Sequence, residues 1–241
     1  MTVLVGIDDT DVLDSRGTGF IARELAAALR VTLGAWLGGI TRHQLLVDPR
    51  IPYTSHNSSA CLSVETASAI DELAAFAGAF LEARAPSGSD PGLCIATEPA
   101  AAAVVEFGRR AQQDVLPASE ATALAARAGV HLSAHGGTGQ GVIGALAAVA
   151  LRRGGDDGRF LDLGDVRRLQ GVVAVARLRQ SGITEFRSDD RPVGLRDADL
   201  IDVGDWCRPV LRGGRPTLLI EEARDGSALW RGISRERLRA L

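Results

Sequence analysis

Residues 3–7 form a short apolar run rich in β-branched side chains, and it closes abruptly on Asp8, Asp9 and Asp11. Such a run reads as a buried first strand, and strand ends are where α/β sheets bind ligands. If the extended geometry continues past the strand, Asp9 and Asp11 point to the same side, roughly 7 Å apart, because strand side chains alternate. Two carboxylates aimed at one spot repel unless a cation lies between them. Oxygen-only ligation suits Mg²⁺, with phosphate oxygens completing its shell and Thr10 able to add a hydroxyl. A solvated turn with an Asx cap is the plain alternative for the same residues.

Further along, a glycine-containing turn at 15–19 precedes a helix with Ile21, Leu25, Ala28 and Leu29 on one face. Residues 35–47 are apolar and β-rich until Pro49 and Pro52 interrupt them, and residues 61–64 suggest another strand. Ile70, Leu73, Ala77, Phe80 and Leu81, spaced by three and four, predict an amphipathic helix over 66–84. Residues 85–92 (APSGSDPG) are the clearest loop. A strand at 93–97, helices at 100–113 and 117–129, a weak strand at 130–133 and a helix at 142–152 follow. Beyond 158 the pattern loosens, with 172–175 and 217–220 the best strands. Strands alternating with helices predict α/β or α+β packing around a mixed sheet with flanking helices. Two domains are expected, 1–125 and 126–241, with discontinuity allowed.

Composition removes several chemistries. All 27 basic side chains in the 241 residues are arginine, so no lysine is present as a Schiff base, general base or Walker-type phosphate ligand. The absence also weighs against a haloacid-dehalogenase phosphatase, which places an Asp-x-Asp after its first strand but needs a lysine to steady the phosphoaspartyl intermediate. Cys61, Cys94 and Cys207 lie far apart, which supports neither a disulfide framework nor a zinc ribbon. A net charge of -3 gives no chain-wide argument for a nucleic-acid or membrane partner. The amino terminus turns acidic before reaching signal-peptide length, and no uninterrupted apolar stretch of ~18 residues occurs. A soluble cytoplasmic protein is expected.

Two glycine-rich segments invite anions. Gly17, Thr18 and Gly19 stand at a helix start, where backbone N–H groups can cradle a phosphate and the Thr18 hydroxyl can touch or accept one. Thr18 as a helix N-cap explains the same residues. The second loop, His135-Gly136-Gly137-Thr138-Gly139-Gln140-Gly141, also precedes a helix. Gly139, Gly141 and Gly144 satisfy a dinucleotide fingerprint literally, but the preceding strand is short and polar, which favours a phosphate loop over a Rossmann site. His135, beside that loop, is a candidate proton donor or charge stabiliser. Arg42, Arg208 and Arg212 are candidate phosphate clamps. The four histidines make no metal site. Trp206 and Trp230 read as packing contacts.

Residues 5–11 (VGIDDTD) with Gly17-Thr18 resemble the opening of the archaeal isoleucine-tRNA 2-agmatinylcytidine synthetase family. Residues 48–53 (DPRIPY), 139–148 (GQGVIGALAA) and 209–214 (PVLRGG) are similar to three further segments of that family, in the same order. The resemblance implies a kinase-like domain carrying the acidic cluster and a ferredoxin-like α+β domain, which in the family are joined to an OB-fold and a zinc ribbon. It also implies chemistry: ATP and Mg²⁺ phosphorylate the C2 carbonyl oxygen of a tRNA cytidine, and agmatine displaces the phosphate. Asp8, Asp9 and Asp11 would then serve catalysis with Mg²⁺-ATP, Asp9 and Asp11 as metal ligands. Thr18 matches a threonine that is itself phosphorylated. Thr10, Gly17, Gly137, Thr138, Gly139, Gln140, Gly141 and Arg212 would border the nucleotide.

Departures narrow the expectation. The chain has no room for an OB-fold or zinc ribbon. The family's basic segment after the IPY motif becomes residues 54–58 (TSHNS), and a second threonine becomes Gly19. Phosphate contacts dominate nucleic-acid affinity, so lost positive charge disfavours tRNA. The expected activity is an ATP- and Mg²⁺-dependent kinase or amine-condensing synthetase acting on an acceptor smaller than tRNA, with an amine such as agmatine as a possible second reactant. A non-catalytic nucleotide-binding module and a stand-alone tRNA cytidine modifier are the alternatives.

Overall fold

The computed structural model describes residues 1–54, 56–223 and 228–239. The chain divides into two compact units, Met1–Leu161 and Asp162–Leu241. The first contains β1 (Thr2–Asp8), α1 (Thr18–Leu33), β2 (Trp36–Gln44), β3 (Ser58–Glu65), α2 (Ile70–Arg84), β4 (Gly92–Thr97), α3 (Glu98–Ala101), α4 (Val105–Ala111), α5 (Ala118–Ala128), β5 (His131–Ala134), α6 (Gly141–Gly154) and the start of β6 (Arg159–Asp162). Its strand order is β5-β4-β1-β3-β2-β6. β1 lies between antiparallel β3 and β4, with Ile7 opposite Ala60 and Asp8 opposite Gly92.

Alternation along β1 explains the two cores. Val3, Val5 and Ile7 face α1 and α2, packing with Ile21, Leu25, Leu29, Leu73 and Leu81. Leu4 faces the other side, with Phe107 of α4, Ala121 of α5 and the apolar residues of α6. α6 is buried nearly all round, as a helix apolar on every face must be. It approaches the sheet closely because Gly6 offers no side chain: a Cβ there would fall 2.2 Å from the Ala145 carbonyl oxygen. For the same reason the expected boundary at 125/126 does not hold. Residues 141–154 complete the core over β1 and β4, so the first unit runs on to Leu161.

Most predicted elements form, with shifted ends. The helix expected at 66–84 begins at Ile70, and its buried line is Leu73, Ala74, Ala77, Gly78 and Leu81. On α1 the buried set adds Ala22 and Ala26 and leaves Ala28 half-buried. The single helix expected at 100–113 is three pieces, α3, a 3-10 turn at Ala102–Val104, and α4. The thiols of Cys61, Cys94 and Cys207 are free and buried, and burial pushes each well above its ordinary pKa, so they act as small apolar groups.

The second unit holds β7 (Val172–Ala174), α7 (Val175–Gln180), β8 (Glu185–Ser188), β9 (Arg191–Pro192), β10 (Leu200–Asp202), β11 (Val210–Arg212), β12 (Arg215–Glu222), β13 (Trp230–Gly232) and α8 (Arg235–Arg239). β12 is its centre, antiparallel to β11 and β13 and parallel to β8. Antiparallel and parallel pairs together make the mixed arrangement that the alternating pattern predicts. Among the described residues, no helix is long and apolar enough to cross a membrane.

Candidate functional site

β1 carries Asp8 to the rim of a pocket that also meets Asp9, Asp11 and Thr18, the Ile51-Pro52-Tyr53 segment, and Gln140, Gly141 and Gly144 at the start of α6. The extended geometry does not persist past the strand. Asp9 adopts a left-handed backbone with φ of 50°, which Asp tolerates better than most residues, and its carbonyl accepts the Asp90 N–H at 3.0 Å. The simple alternation expected for Asp9 and Asp11 is therefore broken, and the three carboxylates take separate roles.

Asp11 is a cap. Its Oδ1 accepts the Thr18 N–H at 3.1 Å and the Thr18 hydroxyl at 2.8 Å, and its Oδ2 accepts the Thr54 hydroxyl at 2.7 Å. Thr18 is not itself the N-cap: that position is Gly17, whose missing side chain leaves the task to Asp11 from outside the helix. Thr18 is thus held with its hydroxyl hydrogen on a carboxylate.

Asp8 and Asp9 have less relief, a backbone hydrogen bond from Asp9 only partly offsetting the rise at Asp8. Burial, then the charge of Asp9 and to a lesser degree that of Asp11, pushes the Asp8 carboxyl up to about 8. Burial, then the charges of Asp90 and Asp11, pushes Asp9 up to about 6. Asp8 lies against the first turn of α6, where a Cβ on Gly144 would fall 1.7 Å from Oδ2. Thr10, between Asp9 and Asp11 in sequence, is fully buried, and its Oγ1 has no hydrogen-bond partner among the described residues. Thr10 does not line the pocket, so it is the crowded carboxylates alone that fit a small oxygen-ligated cation, which would relieve the repulsion. No three His, Cys, Asp or Glu among the described residues form a ready metal cage.

The second glycine loop is different from its expected form. Its backbone does cradle an anion, but the anion is the protein's own Asp90. That carboxylate accepts the N–H groups of Thr138 at 3.0 Å, Gly139 at 2.7 Å and Gln140 at 2.9 Å, and the Thr138 hydroxyl at 2.6 Å. Burial favours a raised pKa for Asp90, yet these four bonds hold it below the usual carboxylate value. Gly137, at φ of 58°, passes so close that a Cβ would fall 2.7 Å from Asp90 Cγ. Asp90 thus takes the N–H groups of Thr138, Gly139 and Gln140, and Gln140 and Gly141 also line the pocket. Asp90 had no local signal beyond its Asp-Pro-Gly context; its partners lie 48 to 50 residues away.

His135 also stands apart from the carboxylate pocket. It packs under Gly78 of α2, with Nδ1 2.9 Å from Glu82 Oε1 and Nε2 2.8 Å from Ser133 Oγ, which in turn lies 2.8 Å from His131 Nε2. This polar chain ties the edge strand β5 to α2. His43 is likewise structural: fully buried on β2, it lies between the Thr41 hydroxyl at 2.8 Å and Asp157 Oδ1 at 2.6 Å. Arg212 belongs to the second unit, on β11, where it donates to the Leu211 carbonyl at 3.0 Å. Ser55, within the segment that departs from the family pattern, lies outside the described residues.

Solved structures share this architecture. Apo TiaS, described as an agmatidine synthetase for an isoleucine tRNA, superposes with a TM-score of 0.55 at 28% identity, over 62% of this chain and 35% of that one. The chain has a TiaS-like fold. The complex of TiaS with its tRNA and ATP gives a TM-score of 0.56 at 30% identity, over 62% of this chain and 36% of the other. The complex with tRNA, AMPCPP and agmatine gives 0.55 at 30%, over the same shares. The chain thus spans about a third of the length of those proteins. No protein-family model matches it, and neither does any curated protein.

Proposed function

We propose that the chain is an ATP- and Mg²⁺-dependent phosphoryl-transfer enzyme whose site is the carboxylate pocket of the first unit. The observation that carries this reading is the pair Asp8 and Asp9, pressed together at a strand end with the like charges of Asp11 and Asp90 acting on them. TiaS has been solved with ATP, with an ATP analogue and with agmatine, and this supports a nucleotide as the ligand.

In this reading Asp8 and Asp9 hold the cation, and Asp11 keeps its place as cap. When bound, the cation would neutralise charge on the β- and γ-phosphates. The chain's own part is to orient and accept protons. Thr18 Oγ1 is fixed by Asp11, 2.8 Å away. Its attack forms an Oγ–phosphorus bond as the bond from γ-phosphorus to the bridging oxygen of ADP breaks, and the hydroxyl proton passes to Asp11 Oδ1. ADP leaves, and the phosphothreonine or a bound acceptor oxygen carries the phosphoryl group. An amine such as agmatine would follow only if the phosphorylated atom is an activated carbonyl oxygen.

The polar, weakly basic segment with Thr54, His56 and Asn57 favours an acceptor smaller than tRNA. A second reading, a tRNA modifier, is favoured by the tRNA present in the TiaS complexes. Incubation of the purified chain with γ-labelled ATP and Mg²⁺, followed by phosphopeptide mapping, tests the proposal. Label on Thr18, or label passing to an added acceptor, is expected. Adding tRNA in one arm and small carbonyl compounds with amines in another separates the two acceptor readings. Absence of ATP binding overturns both.

A further inference from the structure

Along β5 the side chains of His131, Ser133 and His135 alternate with those of their neighbours and share one face of the chain. Opposite them α2 carries Gly78 and Glu82, four residues apart and so on one side of the helix. Gly78 matters because the His135 ring lies directly over it: a Cβ there would fall 2.4 Å from Cε1. The imidazole is thereby held against helix backbone, with only 13% of its side chain exposed.

The partners fix where the protons sit. Glu82 Oε1 lies 2.9 Å from His135 Nδ1, and a carboxylate only accepts, so Nδ1 carries a hydrogen. The neutral ring then offers its Nε2 lone pair to the Ser133 hydroxyl, 2.8 Å away. With its own hydrogen so directed, Ser133 Oγ accepts from His131 Nε2, also at 2.8 Å. Burial, then the charge of His135, holds His131 below the ordinary imidazole value, with Asp71 acting the other way. His131 thus serves as a neutral donor to Oγ. A serine whose proton is aimed at an imidazole, itself oriented by a carboxylate, is the arrangement of an activated nucleophile.

The backbone adds a donor beside it. The His135 N–H bonds to the Pro91 carbonyl at 2.8 Å, and Ala134 stands opposite Gly92. The alternation of an antiparallel ladder therefore turns the Ala134 N–H away from β4, and β5 ends the strand order, with no strand beyond it among the described residues. Ser133 is half-buried and Ala134 exposed. An N–H one residue after the nucleophile is a common oxyanion donor in acyl transfer.

We propose that Ser133 is a second catalytic nucleophile, acting on small esters, with His135 as general base, Glu82 as the positioning residue and the Ala134 N–H as oxyanion donor. Oγ bonds to the ester carbonyl carbon as its proton passes to His135 Nε2. The ester C–O bond then breaks, and the leaving alcohol takes that proton. Water repeats the sequence on the acyl-serine, which releases the carboxylic acid and returns a hydrogen to Oγ. None of these residues lines the carboxylate pocket, so the proposal stands independently of the phosphoryl-transfer reading.

A fluorophosphonate is the probe: Oγ bonds to phosphorus, fluoride leaves, and His135 takes the hydroxyl proton. The folded full chain should be labelled on Ser133, located by peptide mass spectrometry, and should release nitrophenolate from p-nitrophenyl acetate. In His135→Gln, labelling should slow at least ~100-fold, the share of a general base. Glu82 is 63% exposed, so Glu82→Gln should lower the limiting labelling rate by only about 10-fold, less than a buried orienting carboxylate would. The half-saturating probe concentration should stay unchanged there, which marks lost orientation rather than a lost site. No label on Ser133, label gained as fast by the urea-unfolded chain, or labelling undiminished in either variant overturns the proposal. Should His135→Gln not fold, Glu82→Gln decides alone.

Discussion

Asp90 and the Asp8–Asp9 pair are neighbouring carboxylates, tied together by the bond from the Asp90 N–H to the Asp9 carbonyl, and they are managed in opposite ways. Asp90 is saturated: four donors from the glycine loop surround it, and its pKa is lowered. Asp8 and Asp9 are half-buried beside one another, and their pKa values rise to about 8 and about 6. A carboxylate whose bonds are complete contributes stability and has nothing left to offer a ligand. A crowded pair costs stability and gains by binding a cation. The acidic cluster is therefore the place to look for function, and the glycine-rich loop, which looks more like a ligand site in sequence, is a clamp that builds the pocket wall.

The largest effects should separate these roles. Asp9→Asn should lower Mg²⁺-dependent phosphoryl transfer by at least ~100-fold, about 2.7 kcal/mol of barrier, while leaving the unfolding midpoint in urea unchanged or raised. Asp90→Ala should do the reverse to stability, costing about 2–4 kcal/mol, because three backbone donors and a hydroxyl lose their acceptor; urea unfolding measures it. If Asp90→Ala is as stable as the parent, the clamp account of the loop is wrong.

pH should divide the regions by sign. Between the unfolded value of 3.8 and about 8, folded Asp8 keeps a proton that the unfolded chain releases, so the metal-free protein loses stability as pH rises across that window. Asp9 adds to the loss only up to about 6. The slope should be less than ~1.4 kcal/mol per pH unit from pH ~6 to ~8, and Asp8→Asn should flatten it. Asp90, with a lowered folded pKa, works the other way: its stabilisation is present above the unfolded pKa and is lost as pH falls through the folded one. Unfolding in urea from about pH 3 to about pH 8 with chelator present reads both limbs. The smallest effect belongs to the cap. Thr18→Val should cost about 1 kcal/mol, and Thr18→Ser should restore most of it.

Much of the first unit was legible beforehand, because its strands are short continuous apolar runs, buried on both faces, and its longer helices carry three-to-four-residue spacing. α6 was legible as a helix, but its place in the core was not, since the glycines that admit it act through contacts with β1 and with Asp8, far off in sequence. The pocket was half legible. The three aspartates and Thr18 meet there as their order suggested, whereas the division of labour depends on a left-handed residue at Asp9 and on Thr54. Asp90 was hidden because its whole role is long-range. His135 misled by adjacency: its neighbour in sequence is the glycine loop, but its neighbours in space are Glu82 and Ser133. The second unit, with strands of two to four residues around one longer strand, offers too few turns of any period to read.

The central claim is that the crowded strand-end carboxylates recruit a nucleotide through a divalent cation. Equilibrium titration of the full chain with ATP, with Mg²⁺ and with chelator, beside an Asp8→Asn/Asp9→Asn variant shown to be folded, tests it most directly. The account predicts binding that requires Mg²⁺ and disappears in the variant. ATP binding of equal strength without Mg²⁺, or undiminished in the variant, would contradict it.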